Sequence, residues 1–428
     1  MLNYDVVIIG GGTAGCSAAY NFSKLGMKTL VIEKSTFLGG LMTGGLVTPA
    51  MKSAENQINT EFFTEFKNIM GDGMITYCDN NSGWFNPEIA KIKLEKLLKD
   101  NNVDIFYNAE VIDYTKEDNI IKTINVNTRD ISGNILSVPI CSIYYVDATG
   151  YSDFCQIINC NFIDDYDEKS NKLTQPMNLR FTMGGVNVNT FGEWIYTLDK
   201  NREVTTLCTI NGQTHLSTAC TWDGEWALTP IFKKAVSDGV LTENDSNYFQ
   251  LFTIPLMLDT IAFNAPRVVD LYDTTDIFAI TKTLSTARES IYRLADFCKK
   301  YFPGFENSYI SNIATHLGTR VSKRVEGKYI YTVEDLKSGK KFKNPVVVSN
   351  YPIDVHSTDK NKSVLEKQYQ EYCLPVESLM SKDYDNVYVI GRNLSADFYA
   401  QAALRIIPSC FSMGEGLAKY ICQNSHSV

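Results

Sequence analysis

The sequence predicts an α/β fold: a Rossmann-like unit on a parallel sheet, carrying an inserted α+β substrate unit. Three observations predict it. The first 33 residues read as strand, glycine turn, helix and strand. A later apolar strand, Val387 to Ile390, again runs into glycine. Between them, from about 156 to 345, that logic stops and turn clusters separate short strand-like runs. A length of 428 residues suits two folded units, or one with a large insertion. The expected divisions are 1–155 and 346–428 for the Rossmann-like unit and 156–345 for the insertion.

The first strand is Asp5-Val6-Val7-Ile8-Ile9, a β-branched run without alternation, as in a strand buried on both faces. It enters Gly10-Gly11-Gly12-Thr13-Ala14-Gly15, which fits G-x-G-x-x-G. Ala18, Ala19, Phe22 and Leu25 then recur at helical spacing until Gly26. Lys28 to Ile32 form the next buried strand, closed by Glu33. Each glycine has a separate reason: Gly10 permits the tight turn, Gly12 lets backbone approach a pyrophosphate, and Gly15 lets helix and strand pack closely. The helix N-terminus, at Thr13 and Ala14, adds donors and partial positive charge. Glu33 follows Gly12 by 21 residues, where a carboxylate accepts hydrogen bonds from a ribose and disfavours a 2′-phosphate. That leaves FAD or NAD.

Composition narrows the partners. Hydrophobic residues make up 44% and charged residues 21%, ordinary globular usage. Forty basic against 49 acidic residues give a net charge of -9, which opposes binding to nucleic acid phosphates. No apolar run reaches the roughly 18 residues of a membrane helix, and the start lacks the basic region of a signal peptide, so a cytoplasmic protein without membrane partners is expected. Eleven cysteines without a C-x-x-C pair suggest buried thiols, and no metal site is expected.

Three further segments separate FAD from NAD: Gly39-Gly40-Leu41-Met42-Thr43-Gly44-Gly45, Asp147-Ala148-Thr149-Gly150 after an apolar strand, and Val387 to Ile390 entering Gly391-Arg392. Together they resemble the glutathione-reductase-type FAD fold, in which a distant C-terminal strand returns to the flavin. More closely, the chain resembles the bacterial FAD-dependent oxidoreductase family, distantly related to fumarate reductase flavoproteins. The stretches that carry this are Asp147 to Gly150 with Asp153, Gln175 to Phe181, Pro303 to Asn307, Gly318 to Tyr329, Tyr351 to His356 and Gly391 to Gly414. Phe398 stands where the family usually has histidine, and Val321 where it usually has an acidic residue. With no histidine between residues 33 and 60, the resemblance implies noncovalent FAD. The residues it implies for the cofactor are Gly10, Gly12, Thr13, Ala14, Gly15, Glu33, Lys34, Gly40, Leu41, Thr43, Val111, Ala148, Thr149, Gly150, Gly391, Arg392 and Ala402.

Elsewhere, 53–70 reads as a helix, and Asn86-Pro87-Glu88 opens another whose apolar face is Ile89, Ile92, Leu94, Leu97 and Leu98. Asp104 to Tyr107 is a strand, and Val111 to Val146 forms a meander. Thr286 to Tyr301 is a helix with Ile291, Leu294, Ala295 and Phe297 buried, and Pro408 opens the last helix. The resemblance implies that this last helix aims its N-terminus at the flavin. Candidate chemistry rests on Arg405, near that helix start; on His356 and Tyr351 as proton-transfer groups, with His316 behind them; and on Arg320 and Arg324, whose cluster with Lys323 could clamp a carboxylate or simply pair with Glu326. The function expected is hydride transfer between flavin N5 and a small organic substrate, with an electron donor or acceptor and an oligomeric state that the sequence does not identify. The alternatives are a flavin monooxygenase or a flavin-binding regulatory protein without turnover.

Overall fold

In the computed structural model, residues 1–424 are described apart from 55, 77–81, 130, 166–172, 200–203, 220–225, 247, 269–275, 357–363 and 369. The first strand, β1 (Leu2–Ile9), is hydrogen-bonded in parallel on both edges, to β2 (Thr29–Glu33) and to Ile135–Asp147. This explains its unbroken apolar run. Val6 and Ile8 enter the core on one face of the sheet, and Val7 and Ile9 enter the core on the other. The sheet has the order Asp104–Tyr107, β2, β1, Ile135–Asp147, Ile120–Arg129, Glu110–Glu117. Val387–Val389 returns from far along the chain to pair in parallel with Tyr145 to Asp147. The glycine turn, the D-A-T-G turn and Gly391 therefore emerge from neighbouring strand ends, where open α/β sheets bind ligands.

Between β1 and β2 runs α1 (Thr13–Lys24), which packs against the C-terminal helix Ile407–Asn424. A Cβ at Gly414 would come within 2.5 Å of the Ala14 carbonyl oxygen, so the close approach of the two helices requires glycine there. The insertion forms a six-stranded antiparallel sheet ordered Thr206–Ile210, Gln213–Ala219, Gln250–Ile254, Met257–Phe263, Phe181–Gly184, Tyr309–Ile313. Its core is aromatic, with Phe191, Phe232, Phe249, Phe263, Phe297 and Phe302 buried together.

Several expectations need correction. The helix expected over 53–70 begins only at Glu61. Asn59 has φ +54°, and the Ser53 hydroxyl and Asn59 amide are drawn to Ser349 and the Val346 carbonyl, so tertiary contacts pull that stretch out of helix. In the helix Pro87–Asp100, Ile92 is 70% exposed and Ala90 takes the buried position. The helix expected over 286–301 spans Ile277–Tyr301. Among the described residues, Cys208 is disulfide-bonded, whereas eight other cysteines are free and six of those are buried. Among the described residues, no helix is long and apolar enough to cross a membrane.

Candidate active site

Between the two sheets lies a cavity of about 1090 Å³. Two groups of residues wall it. The first is the glycine turn with the strand ends around it, and the second is a polar set dominated by arginines.

At the first wall the glycines divide their work. Gly10 has φ +103°, and a Cβ there would meet the Ala148 carbonyl oxygen at 2.6 Å. A Cβ on Gly15 would lie 2.0 Å from the Gly10 carbonyl oxygen, so close packing of α1 on the turn demands glycine. Gly12 differs: a Cβ would meet nothing nearer than the Ala148 carbonyl oxygen at 3.8 Å. The chain itself does not need glycine at 12, which fits a ligand approaching the backbone there. Gly12 is also the N-cap of α1 and offers no side-chain cap, so the first amides of the helix are left without that partner. These features fit a pyrophosphate: backbone donors, the positive end of a helix dipole, and no side chain in the way.

The flanking residues complete that wall. Glu33 is 7% exposed; its carboxylate accepts from the Gly11 amide and the Ser35 amide, both at 2.7 Å, and borders the cavity. Lys34 pairs with Asp153 at 3.1 Å. Asp147 is fully buried and accepts from Thr149, the Cys155 amide and the Asn393 amide group. Burial pushes its carboxyl upward despite those donors. It thereby ties D-A-T-G to the segment after Gly391. Gly40, Leu41, Val111, Ala148, Thr149, Gly150 and Gly391 also line the cavity. Arg392 lies over the Tyr151 ring at 4.4 Å, with its Nε buried and without a partner among the described residues.

The second wall is built largely from short strands and loops of the insertion and of the C-terminal segment. Met177–Asn178 pairs with Arg267–Val268, setting Asn178 opposite Arg267. Arg267 lies over the Tyr248 ring at 3.9 Å and donates to His356 Nδ1 at 2.8 Å. Because Arg267 can only donate, Nδ1 is an acceptor and the neutral ring carries its proton on Nε2, toward Asp354 at 3.4 Å. Arg405 donates to the Asp354 carbonyl oxygen at 2.9 Å and reaches its carboxylate at 3.4 Å. Burial, followed by the Arg320 charge, holds the His356 pKa down to about 3 against the pull of Asp354. Burial opposes the Asp354 charge, yet His356, Arg405 and Arg320 keep its carboxyl well below the usual range. Tyr351 lines the cavity, and burial, then the Asp354 charge, pushes its phenol far up.

His356 is therefore a neutral strut, poorly suited to give a proton as an imidazolium. The expected carboxylate clamp of Arg320 with Arg324 does not assemble. Arg324 is turned away from the cavity, with Nη1 donating to Asp165 at 2.5 Å and to the Ala396 carbonyl oxygen at 2.9 Å. Lys323 donates to Gln156. His316 lines the cavity on the side of the first wall, 3.1 Å from the Ser35 hydroxyl. Three residues expected at the cofactor lie behind the cavity wall. Gly15 is packed under the turn, Thr43 donates to the Leu38 carbonyl oxygen, and Ala402 is buried in the short helix Phe398–Leu404. Sequence reasoning missed its neighbour Gln401, whose amide donates to the Arg320 and Arg392 carbonyl oxygens at 3.1 Å each, joining the two walls. It also left Arg180, Tyr248, Arg267 and Asp354 unassigned. Alternation of Asn178 and Arg180 along Gln175 to Phe181 was the available signal.

Comparison with known proteins adds to this geometry. The family model described as FAD dependent oxidoreductase matches residues 5–425. A 156-residue stretch is 30% identical to thiamine thiazole synthase of Pyrococcus horikoshii, covering 35% of this chain and 58% of that protein. A 165-residue stretch is 28% identical to digeranylgeranylglycerophospholipid reductase of Sulfolobus acidocaldarius, covering 35% of each chain. The matches thus span well under two thirds of these relatives. Among solved structures, a geranylgeranyl bacteriochlorophyll reductase-like protein from Thermoplasma acidophilum aligns over 100% of this chain and 80% of its own, with 12% identity and a TM-score of 0.46.

Proposed function

The chain belongs to the FAD dependent oxidoreductase family, with FAD as its cofactor, and on that premise we propose that it transfers a hydride between the flavin and a small organic substrate. The observation that carries this reading is a single cavity bordered both by the glycine wall and by a polar wall drawn from the insertion and from the C-terminal part of the chain. FAD, when bound, supplies the redox chemistry by accepting or returning a hydride at N5.

The protein's part is binding and orientation. The amides of Thr13 and Ala14 and the open face of Gly12 would hold the diphosphate, and Glu33 the ribose; Lys34, Gly40, Leu41, Val111, Ala148, Thr149, Gly150, Gly391 and Arg392 would complete the cofactor wall. Residues 156–345 would act as the substrate unit, and 1–155 with 346–428 as the FAD unit. Arg405 and Arg320 would face the substrate. Tyr351 keeps its proton and would donate a hydrogen bond, while His356 would position Asp354 and Arg405. Noncovalent attachment and a cytoplasmic setting complete the reading.

The test is anaerobic. Photoreduced holoenzyme is mixed with a metabolite panel and followed for flavin reoxidation, and the oxidised form is screened for bleaching. At least one small organic compound should react in one direction. Flavin that reoxidises only with O₂, while a compound is hydroxylated, would instead make the protein a monooxygenase.

A further inference from the structure

Among the charged groups around the polar wall, two differ from the rest. Arg405 has Asp354, and Arg267 has the Tyr248 ring and His356 Nδ1. Arg180 and Arg320 line the same cavity at 9% and 8% exposure, and among the described residues neither has a carboxylate within ion-pair distance. Arg180 donates to the Leu46 carbonyl oxygen at 3.2 Å. Arg320 donates to the Pro176 carbonyl oxygen and to Asn178 Oδ1. These are neutral acceptors. They fix the side chains in place but do not offset the charge.

A buried guanidinium without a counter-charge is costly, and the cost shows. Burial pulls Arg180 down to about 10, and burial with the nearby Arg267 and Arg405 charges pulls Arg320 well down. Among the described residues, Asp354 is the carboxylate beside Arg405, with His356 neutral, and it is out of ion-pair contact with both Arg180 and Arg320. Several of the remaining polar groups are engaged with one another. Asn178 donates to Asn264, and Asn264 donates to Tyr248 and Gln250. Among the described residues, Arg180 and Arg320 have no negative charge in contact. The cofactor's diphosphate has separate donors at α1.

We propose that Arg180 and Arg320 bind a carboxylate of the substrate, so that this enzyme acts on small organic acids. The inference rests on the proposed hydride-transfer reading and names its substrate class. The planar fork of a guanidinium suits a carboxylate, and the neutral acceptors behind Arg180 and Arg320 preorganise both forks toward the cavity. Arg180 contributes from the inserted unit, next to the strand Phe181–Gly184, so the anion would be held from the side facing the cofactor wall.

The probes are two pairs of equal shape and different charge, acetate with acetamide and benzoate with benzamide, and inorganic phosphate as a third anion. Binding to the full-length holoenzyme is read by calorimetry, which needs no flavin signal, and by the flavin difference spectrum, which reports contact near the ring. At least one carboxylate should bind at least tenfold more tightly than its amide. Arg180→Met and Arg320→Met should each cut that affinity at least tenfold while FAD content and amide binding stay unchanged, and Arg180→Lys should restore part of it. If Arg320→Met does not fold, Arg180→Met carries the test, since Arg180 makes one backbone contact. Equal affinity for acid and amide would overturn the proposal. So would loss of FAD from the variants, or phosphate binding that exceeds carboxylate binding. A protein that discriminates acids but never exchanges electrons would leave the anion site standing and end the hydride-transfer reading.

Discussion

At the glycine wall the donors for an anion are backbone amides at the start of α1, whereas at the arginine wall they are full charges on Arg180 and Arg320, buried to 9% and 8% exposure. The amides are neutral, and the helix holds them whether or not a ligand is present. Among the described residues no carboxylate in contact balances the Arg180 and Arg320 charges, so an anion bound between them should stabilise that wall. On the proposed reading the same difference separates cofactor from substrate. A dipolar backbone site gives a general phosphate cradle, and a cluster of charged forks gives selectivity for one kind of group.

The largest expected effect breaks the first wall alone. Gly12→Val should abolish FAD binding and leave the fold intact, because the chain has no atom nearer than 3.8 Å to the added Cβ. Gly15→Val is its control. It drives a side chain into the Gly10 carbonyl oxygen at 2.0 Å and should destabilise the protein itself. Flavin content and melting temperature, measured on both, separate a ligand clash from a packing clash. Full flavin in the Gly12 variant would place the cofactor elsewhere.

Glu33→Ala should weaken FAD without abolishing it, by about 1.5–3 kcal/mol, the worth of hydrogen bonds to a charged acceptor. Because Glu33 also accepts from Gly11 and Ser35, the variant should lose some thermal stability even without FAD. Titration of the apoprotein with FAD and a melt without it give the two effects independently.

At the second wall, Arg405→Met should keep FAD and slow flavin reduction or reoxidation by the substrate at least about tenfold, equivalent to ~1.4 kcal/mol. Rapid-reaction traces with unchanged rates would remove Arg405 from the chemistry, and lost flavin would move it to the cofactor.

The smallest effect concerns pH. His356 and His215 are held neutral by burial, with pKa values lowered from 6.5 to about 3 and about 4. The unfolded chain binds protons first as pH falls, so stability that is full above pH 6.5 is lost on acidification, by up to about 1.4 kcal/mol per pH unit for each histidine. The melting temperature should fall between pH 7 and pH 5, and His356→Gln should make that fall shallower. Parallel curves for the two proteins would mean that His356 is not held neutral.

The two walls were unequally legible in the sequence. Gly10, Gly12, Gly15 and Glu33 lie within one strand, helix and strand, where spacing alone dictates geometry. The arginine wall draws on residues 178, 180, 248, 320, 354, 356 and 405, with Arg267 behind Tyr248 and His356, which only the return of the chain brings together. Arg320 and Arg324 sit four apart and were read as one cluster. Instead, Arg324 reaches Asp165, 159 positions away, and leaves the cavity. Likewise the meander and the returning strand Val387–Val389 followed from apolar runs ending in turns, whereas the late start of the helix at Glu61 depends on contacts with Val346 and Ser349 that no local pattern records.

The claim on which both walls depend is that FAD sits noncovalently in this cavity. Acid precipitation of the purified protein, with the supernatant identified and quantified by chromatography and absorbance, tests it directly. The account expects one FAD released per chain. Colourless protein that takes up no added FAD, or flavin that stays with the pellet, would contradict it.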